Sequence, residues 1–303
     1  MTKPFIQHGK RVLAGVLALI MTFVLAGCND VEQTITPDVT TPTEPIVTTE
    51  PPVTTTEPTT TEPVVTEPPL PEPLEKYLSY YEENNDFVGW LTIPELKGSS
   101  GPYIDYPIVQ TTDNSFYLTN NFEKKSSKAG WIYADYKIPI TETNHADNIT
   151  FYGHSQKDGS FFRHLLDYKS SSKGLDLVNK AYVINFDTRW EENQYVIVSC
   201  FLIGTKEKHD DLPLFKYFTY RDFKDEAQYK EFYDNIMLRS YFNSDVQCEY
   251  GDEFITLSTC AYDFDDSRFV VVARKVREGE DISVYAGTYT KNRDKHMPAA
   301  TRD

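Results

Sequence analysis

Short runs dense in Val, Ile, Phe and Tyr, broken by Gly, Pro, Asn or Asp, recur between residues 87 and 273 of the chain. Eight have strand length and composition: 87–93, 106–110, 131–133, 149–152, 182–186, 195–202, 254–257 and 269–273. β-Branched and aromatic side chains suit a pleated, half-buried surface, and the residues between the runs supply turns. The pattern predicts a mainly β domain, its eight strands closed or nearly closed into a barrel. Two segments carry helical spacing instead. Leu74, Tyr77, Leu78 and Tyr81 predict a short helix over 74–84, and Phe223, Ala227, Tyr229, Phe232, Tyr233 and Ile236 predict several turns within 222–242. The second helix falls in a long insertion before the strand that starts at Phe254. Past Val276 the chain turns polar; 281–303 is a polar tail, of which 291–303 reads as loose.

The first 73 residues have a different texture. Lys3, Lys10 and Arg11 precede an apolar run over 12–25, which leads into Leu25-Ala26-Gly27-Cys28. A spanning helix needs about 20 apolar residues, so a run of fourteen suits an export signal. The four residues ending in Cys28 resemble the bacterial lipobox, which implies cleavage and a lipidated Cys28. The other reading is an uncleaved membrane anchor. Both readings put the remainder of the chain on the outer face of the bacterial membrane. Residues 29–73 hold eleven of the eighteen prolines, fourteen threonines, nine acidic residues and no Lys or Arg. Such a segment has too few apolar side chains to offset chain entropy. It reads as an extended, disordered stalk, reaching roughly 140 Å at most at ~3.1 Å per residue. The predicted organisation is a signal over 1–28, a stalk over 29–73, a folded domain over 74–280 and a polar tail over 281–303.

Charge narrows the partners. The formal net charge is −16, and losing the three positive charges of the signal leaves −19. Nucleic acid would repel such a chain. No zinc-ligand spacing or phosphate-binding Gly-rich loop is present in the sequence, and no cofactor is expected. The four cysteines, Cys28, Cys200, Cys248 and Cys260, make no disulfide framework. Cys200 lies in an apolar strand and reads as an inert core thiol. Cys248 lies in a polar connection and reads as exposed.

Cys260 is different. It ends the strand FITLSTC, and Arg268 opens the next strand after a short acidic loop. A thiol and a guanidinium so placed can face one pocket, and a nearby cation favours the nucleophilic thiolate. About a hundred positions upstream, Asn148 to His154 form a strand ending in Gly-His, succeeded by the turn Asp158-Gly159-Ser160 and an apolar helical turn or two. A cysteine and a histidine far apart in sequence, both at strand ends, suit a thiol nucleophile with an acid/base partner. A buried structural cysteine beside a surface arginine is the competing account.

At these residues the chain resembles the class B sortases, a family of cell-wall transpeptidases. The resemblance spans 74–276 and rests on TLSTC with its spaced Arg, on YGH followed by DGSFF, and on the entry NNDFVGWLTIP. It implies Cys260 as nucleophile, His154 as acid/base and Arg268 as oxyanion or backbone clamp, with the inserted helix beside the substrate groove. It also implies the partners: a secreted protein with a C-terminal sorting motif as donor, and the amine of a peptidoglycan precursor as acceptor. The LAGC signal departs from the usual sortase pattern of a retained transmembrane anchor. Ser258, Thr259 and Tyr262 border the nucleophile and are candidates for substrate binding; strand packing accounts for Ser258 and Thr259 equally. Tyr262 and Phe264 either line the pocket or pack. His145, in a polar loop, is a decoy for His154, and His164 reads as a packing residue. Asp263, Asp265 and Asp266 are a solvated turn, or else orient Arg268 or hold a cation weakly. The rivals to transfer are a cysteine peptidase that only hydrolyses and a non-catalytic surface lipoprotein that binds a wall component. Papain-type motifs are absent and the Cys comes after the His, opposite to that family. A pilin-polymerising class C sortase would usually carry a C-terminal transmembrane segment, which this sequence lacks.

Overall fold

The computed structural model describes residues 69–143 and 146–302. The signal segment with Cys28, the stalk up to residue 68 and His145 lie outside the described residues. Eight strands close into a barrel: β1 (Phe87–Thr92), β2 (Asp105–Val109), β3 (Tyr133–Ala134), β4 (Asn148–Tyr152), β5 (Val183–Thr188), β6 (Gln194–Gly204), β7 (Phe254–Cys260) and β8 (Ser267–Lys275). Around the barrel the order is β1-β2-β3-β4-β7-β8-β6-β5, with β5 pairing back onto β1. Closure leaves no free sheet edge among these strands. Two neighbours run parallel, β2 with β3 and β4 with β7; the rest are antiparallel.

The barrel is packed inside, and one side of it is packed outside as well. Along β1, inward and outward residues alternate between buried and half-buried, the signature of a strand with one wetter face. Strand β6 is buried at every position after Gln194. Its Ile197, Cys200 and Leu202 point into the barrel core, while Val196, Val198, Phe201 and Ile203 join an outer cluster. The phase slips between Val198 and Ser199, where the pairing with β8 skips one residue. This bulge lets two successive residues face outward, and Ser199 uses the turn to donate to the Ile236 carbonyl at 2.7 Å.

After two short helices, α1 (Leu78–Glu83) and α2 (Gly174–Val178), helix α3 (Glu226–Arg239) covers that outer face with Tyr229, Phe232 and Ile236, spaced three and four apart. Asp225 caps its start, its carboxylate accepting from the Gln228 N–H at 2.8 Å. This is the inserted helix that the spacing predicts, shorter at both ends. Ala227 is exposed on it.

The N-terminal element departs from expectation. Residues Glu75–Tyr77 form a 3₁₀ turn, and only Leu78–Glu83 are α-helical (α1). A 3₁₀ turn advances three residues per turn rather than 3.6 and rotates the helical face beyond it. Tyr77 is therefore buried and Tyr80 packs beside it, while Leu78 and Tyr81 are exposed.

The C-terminal residues are not loose. Thr290–Lys291 pair with Phe242–Asn243, and Tyr285 and Tyr289 are buried. The His296 N–H donates to the Leu238 carbonyl at 2.8 Å, and its ring Nε2 lies 2.6 Å from Asp210. Arg302 reaches Asp211 at 3.0 Å. A chain ended after Lys291 loses the contacts of His296 and Arg302 and should be less stable by about 1–2 kcal/mol, which lowers Tm by roughly 2–8 °C. Differential scanning calorimetry of the two chains checks this.

No helix among the described residues is long and apolar enough to cross a membrane.

Candidate active site

Three chain segments meet at one end of the barrel. Strand β7 runs to Cys260 and β8 starts at Ser267, with Cys260 and Arg268 directly opposite each other in the antiparallel register. On the other side of β7 lies the parallel β4, with Tyr152 opposite Ser258. Past the end of β4, the Gly153 N–H donates to the Ser258 carbonyl at 3.2 Å, and the Thr259 hydroxyl donates to the Gly153 carbonyl at 2.8 Å. These two bonds hold the chain beside β7 for one more step and set His154 next to the strand end that carries Cys260. Two glycines make room for it. A Cβ on Gly153 would fall 2.7 Å from the Phe162 ring. Gly130 has φ +63°, and a Cβ there would meet the Tyr117 carbonyl oxygen at 2.6 Å and the His154 ring at 3.0 Å.

Cys260, His154 and Arg268 all line a single cavity of about 610 Å³, within the size range of ligand pockets. Each is half-buried. His154 Nε2 lies 3.2 Å from the Leu118 carbonyl oxygen. A carbonyl can only accept, so this contact puts a proton on Nε2. Arg268 donates from Nη1 to the Ser267 carbonyl at 3.0 Å. No carboxylate among the described residues lies within ion-pair distance of it.

The floor and far wall are aromatic and charged. Asp135, almost fully buried, accepts from the Tyr152 hydroxyl at 3.0 Å and from Asn114 at 3.2 Å, with Arg221 Nε 3.8 Å away. Burial pushes the Tyr152 and Tyr133 phenols up, and Asp135 adds to both. On Tyr133 and Tyr217 the Arg268 charge acts in the opposite direction. The wall is the segment from Leu214 to Phe218. It is fastened to β7 through Tyr217, whose hydroxyl lies 2.6 Å from that of Ser258.

No family model matches the chain. Sortase B of Staphylococcus aureus is 31% identical over 196 residues, covering 64% of this chain and 72% of that protein. Sortase B of Listeria monocytogenes is 29% identical over 197 residues, covering 64% and 71%. The chain belongs to the class B sortases. Solved sortase B structures agree: that of S. aureus superposes with a TM-score of 0.56 at 30% identity, covering 67% of this chain and 87% of that one. A Bacillus anthracis sortase B in complex with AAEK2 gives 0.56 at 27% identity, covering 68% and 85%. This sortase is accordingly a cysteine transpeptidase, and its barrel is the one the strand pattern predicts.

The other candidates fall in different places. Cys200 is wholly buried, and burial pushes its thiol far up. Cys248 is half-buried, not exposed as the polar sequence around it suggests; burial pushes its thiol up to about 12. All three cysteines of the described residues are free thiols. Ser258 and Thr259 are buried and use their hydroxyls on Tyr217 and Gly153. Tyr262 is 71% exposed with φ +60°, and neither it nor Phe264 lines the cavity. Phe264 packs edge-on against His209 with ring centroids 5.1 Å apart. His164 stacks on Tyr103 at 3.6 Å and bonds Asp167 at 2.7 Å, a packing role. In the acidic loop, Asp263 pairs with Lys169 and Asp266 with Lys206, and neither makes an ion pair with Arg268. Among the described residues the grouping with metal-ligand chemistry is Asp210, Asp211 and His296. Its members bond each other and Arg302, and none lines the cavity.

Sequence reasoning missed Tyr217, Asp135 and the Leu118 carbonyl. For Tyr217 the aromatic run from Phe215 to Tyr220 was a usable signal. A backbone oxygen such as that of Leu118 leaves no trace in a sequence.

Proposed function

We propose that Cys260 attacks the carbonyl of a sorting motif near the C-terminus of a secreted protein. The Sγ–C bond forms, and the tetrahedral intermediate collapses to a thioester as the C–N bond breaks. His154 gives the departing amine its proton. Arg268 donates to the developing oxyanion or holds the substrate backbone. An acceptor amine then attacks the thioester, returns its proton to His154 and releases Cys260. The acceptor is the amine of a peptidoglycan precursor, so the product is a protein joined to the cell wall. The observation that carries this reading is the direct pairing of Cys260 with Arg268 across β7 and β8, with His154 at the end of the neighbouring strand and all three on one cavity. Solved complexes of S. aureus sortase B with a substrate and of a sortase B with triglycine support a peptide donor and an amine acceptor. Ser258 and Thr259 contribute through the strand end they stabilise, and Tyr262 through its exposed ring two residues past Cys260.

The test is to incubate the chain with sorting-motif peptides of the Asn-Pro-x-Thr or Pro-x-Thr kind, with and without triglycine, and separate the products. A ligated peptide is expected in the presence of the amine. Hydrolysed peptide alone, at any amine concentration, would make the protein a peptidase.

We also propose that residues 1–28 direct export, that Cys28 carries lipid, and that 29–73 lift the domain over residues 74–280 away from the membrane into the wall. Mass spectrometry of membrane-extracted protein should find a lipid-modified N-terminus at Cys28. An unmodified chain that retains residues 1–27 would instead indicate an uncleaved anchor.

A further inference from the structure

A second cavity, of about 320 Å³, lies behind the wall of the first. Leu214 and Phe215 line both. The rear cavity is bounded on one side by Leu212 to Phe215 and on the other by Glu231, Asn235 and Arg239 of α3. Arg239 is only 2% exposed, yet no carboxylate among the described residues lies within ion-pair distance of it. Its Nη1 donates to the backbone and side-chain oxygens of Asn235, at 3.1 and 2.8 Å, and its Nε is buried without a partner. The guanidinium lies 5.3 Å from the Phe215 ring centroid.

The other fully buried arginine of the domain shows what is missing. Arg274 meets Glu280 through both Nη atoms, at 2.8 and 2.5 Å. A buried guanidinium ordinarily has such a counterion, and a two-pronged carboxylate is its best match. Asp210 acts on Arg239 only from a distance and is engaged by His296. Glu231 lies eight residues earlier on α3, about 12 Å along the helix axis, and bonds the Tyr220 hydroxyl.

We infer that the rear cavity is a binding site for a small organic carboxylate, its anionic end on Arg239 and a short alkyl body against Leu212, Leu214 and Phe215. The site offers a cation without a counterion, with Leu212, Leu214 and Phe215 lining the same cavity.

The test uses the full chain and ligand-observed NMR titrations with butyrate, hexanoate and 1-hexanol. Saturable binding of both carboxylates is expected, with affinity rising about fourfold per added methylene. 1-Hexanol should bind at least tenfold more weakly than hexanoate, because it brings no charge. Arg239→Gln should weaken hexanoate at least tenfold. Leu212→Trp, a change on a half-buried loop residue that fills the cavity and leaves Arg239 in place, should do the same even if Arg239→Gln fails to fold. Equal binding of hexanol and hexanoate would overturn the inference, as would hexanoate binding unchanged by Leu212→Trp. These ligands contain no sorting motif, so the outcome is independent of the transpeptidase reading.

Discussion

Cys260→Ala is expected to abolish cleavage of a sorting peptide, lowering turnover by on the order of 10⁴–10⁶ to background. The replaced thiol is half-buried at a strand end, so the barrel should keep its circular dichroism spectrum and its Tm within a few degrees. The companion change Cys200→Ala reverses the pattern. Cys200 sits in the core with no exposed surface, and its loss leaves a small cavity worth about 1–2 kcal/mol of stability while activity persists. Cys248→Ala should keep both. The contrast separates a chemical role from a packing role, since all three are free thiols on one domain. Progress curves with a fluorogenic peptide measure the first effect and calorimetry the second.

Arg268→Lys is expected to fail nearly as badly as Arg268→Ala, each lowering kcat/KM about 10²–10³-fold. Arg268 stands opposite Cys260 in the β7–β8 register and already gives Nη1 to the Ser267 carbonyl. A planar guanidinium can keep that bond and still present other N–H groups to an oxyanion or a substrate carbonyl. A lysine carries the same charge but has no such fork. Recovery of most of the rate by lysine would reduce Arg268 to a point charge, and the oxyanion role assigned to it would be wrong. Steady-state kinetics of the three enzymes decide between these outcomes.

The strands were legible because alternation and β-branched residues survive in the sequence wherever one or both faces are buried. Their ends were less so. The runs at 254–257 and 269–273 extend in the structure through Ser258, Thr259 and Cys260 and back to Ser267 and Arg268. Polar residues at a ladder's end look like loop, although the ladder is made of backbone bonds that any side chain permits. The placement of Cys260 at one strand's end and Arg268 at the next strand's start was therefore readable, but their direct opposition was not. The order of the C-terminal residues is hidden for a related reason. His296 and Arg302 hold them through polar contacts to Asp210 and Asp211, and these carry no hydrophobic period. Helical spacing puts Leu78 and Tyr81 on the buried face, but one 3₁₀ turn shifts the phase of the helix after it. The wall from Leu214 to Phe218 left only its aromatic run as a signal, since its position is set by packing on α3 and by the bond from Tyr217 to Ser258.

In the proposed reaction Cys260 carries the acyl group between donor and acceptor. Intact-mass spectrometry of the chain, quenched in acid after brief exposure to a cleavable sorting peptide, should find an added mass equal to the N-terminal peptide fragment, mapped to Cys260 and discharged on addition of triglycine with formation of the ligated product. Peptide cleavage that proceeds with the adduct on another residue, or that continues in the Cys260→Ala chain, would remove Cys260 from that role.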